Sequence, residues 1–102
     1  MTLETLLDSL TLEEQVQILS GASFWSVESP KLGTLRVTDG PNGARGGGSL
    51  IGGVKSAAFP VGIAIGATWN PDLAQEIGRA IAQEVKSKGA HVSLAPKLAA
   101  WT

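Results

Sequence analysis

The most regular hydrophobic pattern lies in the second half of the chain, where apolar residues recur every four positions at Leu73, Ile77, Ile81 and Val85. This spacing places the four side chains on one face of a helix. Asn70 is a favoured N-cap residue, the proline after it suits a first helical position, and Gly89 can adopt the left-handed conformation that ends a helix. Glu84 and Lys88 form a favourable pair one turn apart. The pattern predicts a helix between Asn70 and Gly89.

A second helix is predicted near the N-terminus. Thr11 and Glu14 have the spacing of a capping box, apolar residues follow, and Gly21 is placed to stop the helix after Ser20. An aromatic pair, Phe24 and Trp25, comes directly afterwards. We expect these rings to turn back toward a core.

Three segments read as strands. Residues 35–38 alternate apolar with polar side chains, residues 59–66 form an apolar run bounded by glycine, and residues 91–94 begin an apolar segment that Pro96 closes. The run at 59–66 suits a strand buried on both faces, so the second half of the chain is predicted to be a βαβ unit. The expected class is α/β, with about three strands and two to three helices, too few strands to close a barrel.

Composition narrows the range of functions. The chain has 102 residues, a net charge of -1, no cysteine and one histidine. Near-neutral charge argues against a nucleic-acid binder, and the absence of cysteine excludes thiol chemistry and Cys-based zinc sites. We expect no metal and no cofactor.

The chain carries no visible targeting or membrane signal. Its first eight residues hold two acids and no base, whereas a secretory signal begins with positive charge. The most apolar stretch, residues 57–67, is interrupted by proline and glycine and is shorter than the roughly 18 residues that span a bilayer. We therefore expect no membrane association and a cytoplasmic location, and an extracellular one stays open if the N-terminus is incomplete.

A glycine-rich loop follows the first predicted strand, with seven glycines among residues 40–53. Gly46-Gly-Gly48 lacks the third glycine of a dinucleotide fingerprint, and Gly53-Val-Lys55-Ser56 inserts a valine into the P-loop pattern. Phosphate binding is therefore not expected. Ordering such a loop costs much backbone entropy, so its conformation needs an external reason to be fixed.

Asp39 and Arg45 are the candidate ligand-binding residues of this loop. Asp39 lies where a strand meets a loop, the place from which α/β folds present side chains to ligands. Its carboxylate can accept hydrogen bonds from neighbouring sugar hydroxyls, or it can simply organise an Asp-Gly-Pro turn. Arg45 can pair with Asp39, reach a ligand oxygen, or remain a solvated loop residue. The local sequence favours the turn role for Asp39 and the solvated role for Arg45, and leaves the other roles open.

Other polar and aromatic residues read as structural. His91 has no partner at metal-ligand spacing and is expected to be a hydrogen-bonded packing residue. Trp25 and Trp69 can serve as sugar-stacking platforms, although core packing is the stronger expectation. Several acids fall at solvated helical positions and are expected on the surface: Glu13, Glu14, Glu76 and Glu84.

Several segments, in order, resemble the start of glycoside hydrolase family 3 β-glucosidases. The most specific is Asp39-Gly-Pro-Asn-Gly-Ala-Arg-Gly46 with the preceding Leu35-Arg-Val-Thr38. The weaker ones are Leu12-Glu-Glu-Gln-Val-Gln-Ile-Leu-Ser-Gly21 with Phe24-Trp25, then Phe59-Pro60, Gly66-Ala-Thr-Trp-Asn-Pro71 and Lys88-Gly-Ala-His-Val92. Together they cover roughly residues 9 to 96.

The resemblance implies the N-terminal portion of a (β/α)₈ TIM-like barrel that an α/β sandwich domain follows in the family. It implies hydrolysis of terminal β-D-glucosyl residues, with a β-glucoside or glucose as ligand. It assigns substrate binding to Asp39, which reverses the local preference for a turn role, and places Arg45 beside the sugar or as a loop anchor.

The resemblance assigns no catalytic residue to this chain. After Pro96 the sequence departs from the family's Pro-Thr-Val-Asn pattern and reads Lys97-Leu-Ala-Ala-Trp-Thr102. The family's aspartate nucleophile and acid/base glutamate have no matching position, although retaining hydrolysis needs two carboxylates about 5 Å apart. A barrel takes about 250 residues. We therefore expect residues 1–102 to be a partial N-terminal domain, with the downstream barrel and the sandwich domain absent.

Three hypotheses follow. The first is a catalytically incomplete piece of a β-glucosidase, from a truncated, alternatively spliced or mispredicted gene. The second is a non-catalytic module that binds glucose weakly through Asp39. The third is a product without function, whose open sheet edges lead to self-association.

Overall fold

The computed structural model describes residues 2–46 and 54–95. Their secondary structure comprises four helices and three strands, which confirms the α/β class. In chain order they are α1 (Leu3–Asp8), α2 (Leu12–Ser20), β1 (Ser26–Ser29), β2 (Gly33–Thr38), α3 (Gly62–Ala67), α4 (Pro71–Ser87) and β3 (Val92–Ser93).

Helix α2 begins and ends where the sequence predicts. The Thr11 hydroxyl accepts the Glu14 N–H at 3.2 Å, and the Glu14 carboxylate accepts the Thr11 N–H at 2.8 Å. Lys31 lies 3.1 Å from the same carboxylate. The Thr11 N–H, with a smaller contribution from Lys31, lowers the pKa of Glu14 below its ordinary value of 4.5. Gly21, at φ +71°, follows the last residue of the helix.

Helix α4 is the longest element, and both of its end signals are confirmed. The Asn70 side chain accepts the Leu73 N–H at 3.1 Å, and Gly89 takes a left-handed φ of +72° just after the helix. On the predicted apolar face Val85 is buried against Ala44 and Ala90, with Ile81 packed beside them. The helix is thereby joined to the segments on either side of it.

The sheet has the order β1-β2-β3. Strands β1 and β2 are antiparallel, with Ser26 opposite Arg36, whereas β2 and β3 are parallel, with Val37 opposite Val92. Both α3 and α4 lie between β2 and β3 along the chain. The chain thus contains a βαβ arrangement, but its first strand is β2.

The predicted buried strand at 59–66 is wrong. Residues 62–67 form helix α3 instead, and Ile63 within it is 70% exposed. A short apolar run does not distinguish a strand from a helix, and a fully buried strand requires covered faces on both sides. Among the described residues no neighbouring strand pairs with this segment, so it forms the local hydrogen bonds of a helix.

Three other N-terminal features depart from expectation. Strand β1 was not predicted, because it contains only one apolar residue. Its residues form a strand because they pair with β2. Helix α1, which Thr2 caps through the Thr5 N–H, was not predicted either. Of the aromatic pair, Trp25 is half-buried but Phe24 is 77% exposed, so the expectation of core packing is wrong for Phe24.

Some expectations concern features that the structure does not contain or describe. Within residues 2–46 and 54–95, no helix combines the length and apolar character needed to cross a membrane. In the same ranges, no cluster of three or more histidines and acids has the arrangement of a metal site. The glycines at positions 47–53 and the strand end at Pro96 lie outside the described residues. The cytoplasmic location stays a prediction.

Candidate functional site

The candidate site is the loop that leaves the carboxyl end of β2. The last residue of the strand, Thr38, is fully buried, and its hydroxyl accepts the Gly46 N–H at 3.0 Å. The Arg45 N–H donates to the backbone oxygen of Asp39 at 2.8 Å. These two hydrogen bonds close residues 38–46 into a compact turn. They fix the conformation of a glycine-rich segment that would otherwise be costly to order.

Two glycines make this closure sterically feasible. Gly40 has φ +135°, and a Cβ atom there would lie 1.8 Å from the Gly43 oxygen. Gly43 has φ +146°, and a Cβ atom there would lie 2.4 Å from the Ala57 oxygen. The Phe59 N–H donates to the Asn42 oxygen at 2.7 Å beside this contact. The loop is therefore packed directly against residues 57–59.

The closed loop brings Asp39 and Arg45 together. Arg45 Nε lies 2.9 Å from Asp39 Oδ1, and the two side chains are 43% and 37% exposed. Oδ1 is itself buried and has no aligned hydrogen-bond donor among the described residues, so the contact with Arg45 is an ion pair without hydrogen-bond geometry. The Asp39 side chain as a whole is 37% exposed, so part of it remains accessible. Of the three roles that the sequence allows for Arg45, the structure shows the pairing with Asp39.

Trp25 lies beside this pair, whereas Trp69 is an exposed residue that follows helix α3. The Arg45 guanidinium carbon is 5.8 Å from the centroid of the Trp25 ring, within the range of a cation–π contact. Trp69 follows helix α3 at a left-handed φ of +51° and is 92% exposed. The expectation that Trp69 packs in the core is therefore wrong.

His91 has the hydrogen-bonded role expected of it. Its imidazole Nδ1 accepts the backbone N–H of Arg36 at 2.9 Å. The backbone N–H of His91 donates to the backbone oxygen of Arg36 at 2.8 Å. The side chain itself is exposed rather than packed in the core. His91 thus links β2 to the segment that begins β3.

Glu84 supports the site, which corrects the expectation that it is a solvated surface acid. Its carboxylate lies 3.3 Å from Lys88 Nζ and accepts the Ala57 N–H at 3.4 Å. Lys88, with a side chain only 7% exposed, also donates to the Lys55 oxygen at 3.0 Å. The Glu84–Lys88 pair therefore holds the segment that packs against Gly43. The i,i+4 spacing of Glu84 and Lys88 was the signal for this pair in the sequence.

The protein is of the α/β class, and its candidate site presents an aspartate and an arginine at the end of a strand. The family model described as the glycosyl hydrolase family 3 N terminal domain matches residues 11–100. The chain belongs to glycoside hydrolase family 3.

Similar proteins in this family carry the name β-glucosidase. The chain is 61% identical over 97 residues to a β-glucosidase of Rhizobium radiobacter and 46% identical over 97 residues to β-glucosidase B of Emericella nidulans. Each match covers 92% of this chain, but only 12% and 11% of the relatives. A solved β-glucosidase structure from Kluyveromyces marxianus matches with a TM-score of 0.83 and 38% identity, over 93% of this chain and 12% of that one. The chain thus spans about an eighth of the length of these relatives.

Proposed function

We propose that this chain provides part of the sugar site of a β-glucosidase that hydrolyses terminal β-D-glucosyl residues. The observation that carries the proposal is the Asp39–Arg45 pair at the carboxyl end of β2, within the most specific motif shared with the family. The names of the relatives support the reaction and the β-glucosyl substrate class.

Asp39 binds the sugar rather than cleaving the glycosidic bond. Its carboxylate accepts hydrogen bonds from sugar hydroxyls, while the Arg45 charge beside Oδ1 keeps it in one orientation. Retaining hydrolysis requires a nucleophile and an acid about 5 Å apart, and we assign neither role to this chain. The chain therefore positions the substrate, and the isolated 102 residues release no product from an aryl β-glucoside.

The barrel is the architecture that we propose for the whole family member. Parallel strands joined through helices are the repeating unit of a (β/α)₈ barrel, and β2, α4 and β3 supply one such unit. Apolar side chains that a barrel would cover are exposed here, among them Ile63 at 70% and Leu94 at 64%. The division into a partial barrel domain and a following sandwich domain stays a prediction.

A chimera tests the proposed role directly. Residues 3–95 of this chain replace the matching segment of the R. radiobacter β-glucosidase, and hydrolysis of p-nitrophenyl β-D-glucoside is measured. We expect an active chimera in which Asp39→Asn lowers kcat/KM by about 10- to 150-fold, the value of a hydrogen bond to a charged group. Asp8→Asn, the same change at the exposed end of α1, is the control. An active chimera that is indifferent to Asp39→Asn would contradict the proposal.

A second candidate function is a binding module without catalysis. The Asp39 side chain is 37% exposed in the isolated chain, which favours weak glucose binding even without hydrolysis. Methyl β-D-glucoside is titrated into the labelled chain and followed by NMR. Saturable shifts at the loop of residues 39–46, together with an inactive chimera in the hydrolysis assay, favour this candidate. The absence of such shifts excludes it.

A further inference from the structure

We infer that Trp25 is a positioning residue for the sugar site: its ring holds the Arg45 guanidinium beside Asp39 and so keeps the Asp39 carboxylate in one orientation for the ligand. The expected effect of Trp25 on glucoside affinity rests on the proposed sugar binding. The contact between Trp25 and Arg45 is independent of that proposal.

The argument starts from how weakly Asp39 alone restrains Arg45. The two side chains are each more than one third exposed, and their ion pair has no aligned hydrogen bond. Exposed ion pairs of this kind are largely offset by solvent screening and by the entropy of long side chains. A second contact is therefore needed to hold the arginine in one place.

The Trp25 ring supplies that contact. Its centroid is 5.8 Å from the Arg45 guanidinium carbon, and tryptophan is the best aromatic partner for a cation. The ring face that holds the arginine is thereby unavailable for stacking on a sugar. This geometry favours support of Arg45 over the platform role considered from the sequence.

The position of Trp25 is coupled to β2, the strand that Asp39 directly follows. The Trp25 oxygen accepts the Val37 N–H at 2.9 Å, two residues before Asp39. The Trp25 N–H donates to the Ser23 hydroxyl at 3.1 Å, and that hydroxyl lies 2.8 Å from the Ser26 hydroxyl. The backbone that bears the indole ring is therefore held by the same sheet that positions the carboxylate.

The contact is tested in the isotope-labelled 102-residue chain through the side-chain NMR signals of Arg45. A guanidinium over an indole face is shielded, so we expect its Hδ and Hε signals upfield of ordinary arginine positions. Trp25→Phe should keep part of this shift and Trp25→Leu should abolish it. Phe24→Leu is the matched control, because it alters the neighbouring exposed aromatic and should leave the shift unchanged.

A further variant leaves the indole in place and so remains informative if Trp25→Leu fails to fold. Asp39→Asn removes the charge beside Arg45 and should move the Nε signal while the upfield shift from the ring persists. Unshifted Arg45 signals in the wild type overturn the inference. So does an equal shift in the wild type and Trp25→Leu.

The effect on binding is measured with methyl β-D-glucoside. We expect Trp25→Leu to weaken binding by about two- to fivefold, Trp25→Phe to restore most of it, and Phe24→Leu to leave it unchanged. An unaltered affinity in Trp25→Leu overturns the positioning role. If the wild type binds no glucoside, the proposed sugar binding fails, and the Arg45 signals alone decide whether Trp25 positions the arginine.

Discussion

Gly43 is a position at which the site loop has no room for a single added methyl group. The substitution Gly43→Ala places a Cβ atom 2.4 Å from the Ala57 oxygen at a φ of +146°, which side chains rarely adopt. The backbone cannot keep its conformation, because Cβ contacts under 3.0 Å are essentially never observed. The loop must move away from residues 57–59.

The cost has two parts. A non-glycine residue in such a sparsely populated conformation costs about 1–3 kcal/mol. Moving the loop also breaks the 2.7 Å hydrogen bond from Phe59 to Asn42, worth about 1 kcal/mol. We therefore expect Gly43→Ala to lower the free energy of unfolding by about 2–4 kcal/mol and to separate Arg45 from Asp39.

Urea unfolding followed by circular dichroism measures this change. The matched control is Gly78→Ala in helix α4, where a Cβ atom meets nothing within 4 Å. Alanine is the better helix former, so this variant should gain about 0.5–1 kcal/mol. The same substitution is thus expected to have opposite effects at the two positions. A Gly43→Ala chain as stable as the wild type, or a Gly78→Ala chain as unstable as Gly43→Ala, would refute the reasoning.

Three further predictions concern the scaffold. Asn70→Ala removes the cap of α4 and should cost about 1 kcal/mol of stability, whereas Asn70→Ser should retain most of it, as measured by urea unfolding. His91→Ala removes the acceptor of the Arg36 N–H, so hydrogen exchange at that amide should accelerate, and His91→Asn should slow it again. The Thr11 N–H holds the pKa of Glu14 below 4.5, so this contact stabilises the fold above pH 4.5 and is lost as pH falls through the lowered value. Glu14→Gln should therefore flatten the acid side of the stability profile, and an unchanged profile would contradict this.

Helix ends were predictable because their signals are local. The Thr11–Glu14 capping box and the Asn70 cap act within one turn, so sequence spacing is enough to locate them. Strand β1 was not predictable in the same way, since its residues become a strand by pairing with β2. The apolar run at 59–66 failed as a strand because periodicity does not separate a short helix from a buried strand.

The sequence identified the residues of the site, but it did not predict how they are arranged in space. The motif singles out Asp39 and Arg45, but their contact depends on the positive φ angles of Gly40 and Gly43. The approach of Trp25 depends on a backbone hydrogen bond between segments distant in sequence. No local sequence pattern predicts the contact between Trp25 and Arg45, because the two residues meet only when the chain is folded.

The central claim is that Asp39 binds a β-glucosyl unit. The most direct test is the affinity of the wild-type chain and of Asp39→Asn for methyl β-D-glucoside, measured by NMR titration in one buffer. The account predicts saturable shifts at residues 39–46 in the wild type and at least about tenfold weaker binding in Asp39→Asn. Equal affinity in the two chains, or no saturable shift at these residues in the wild type, would contradict it.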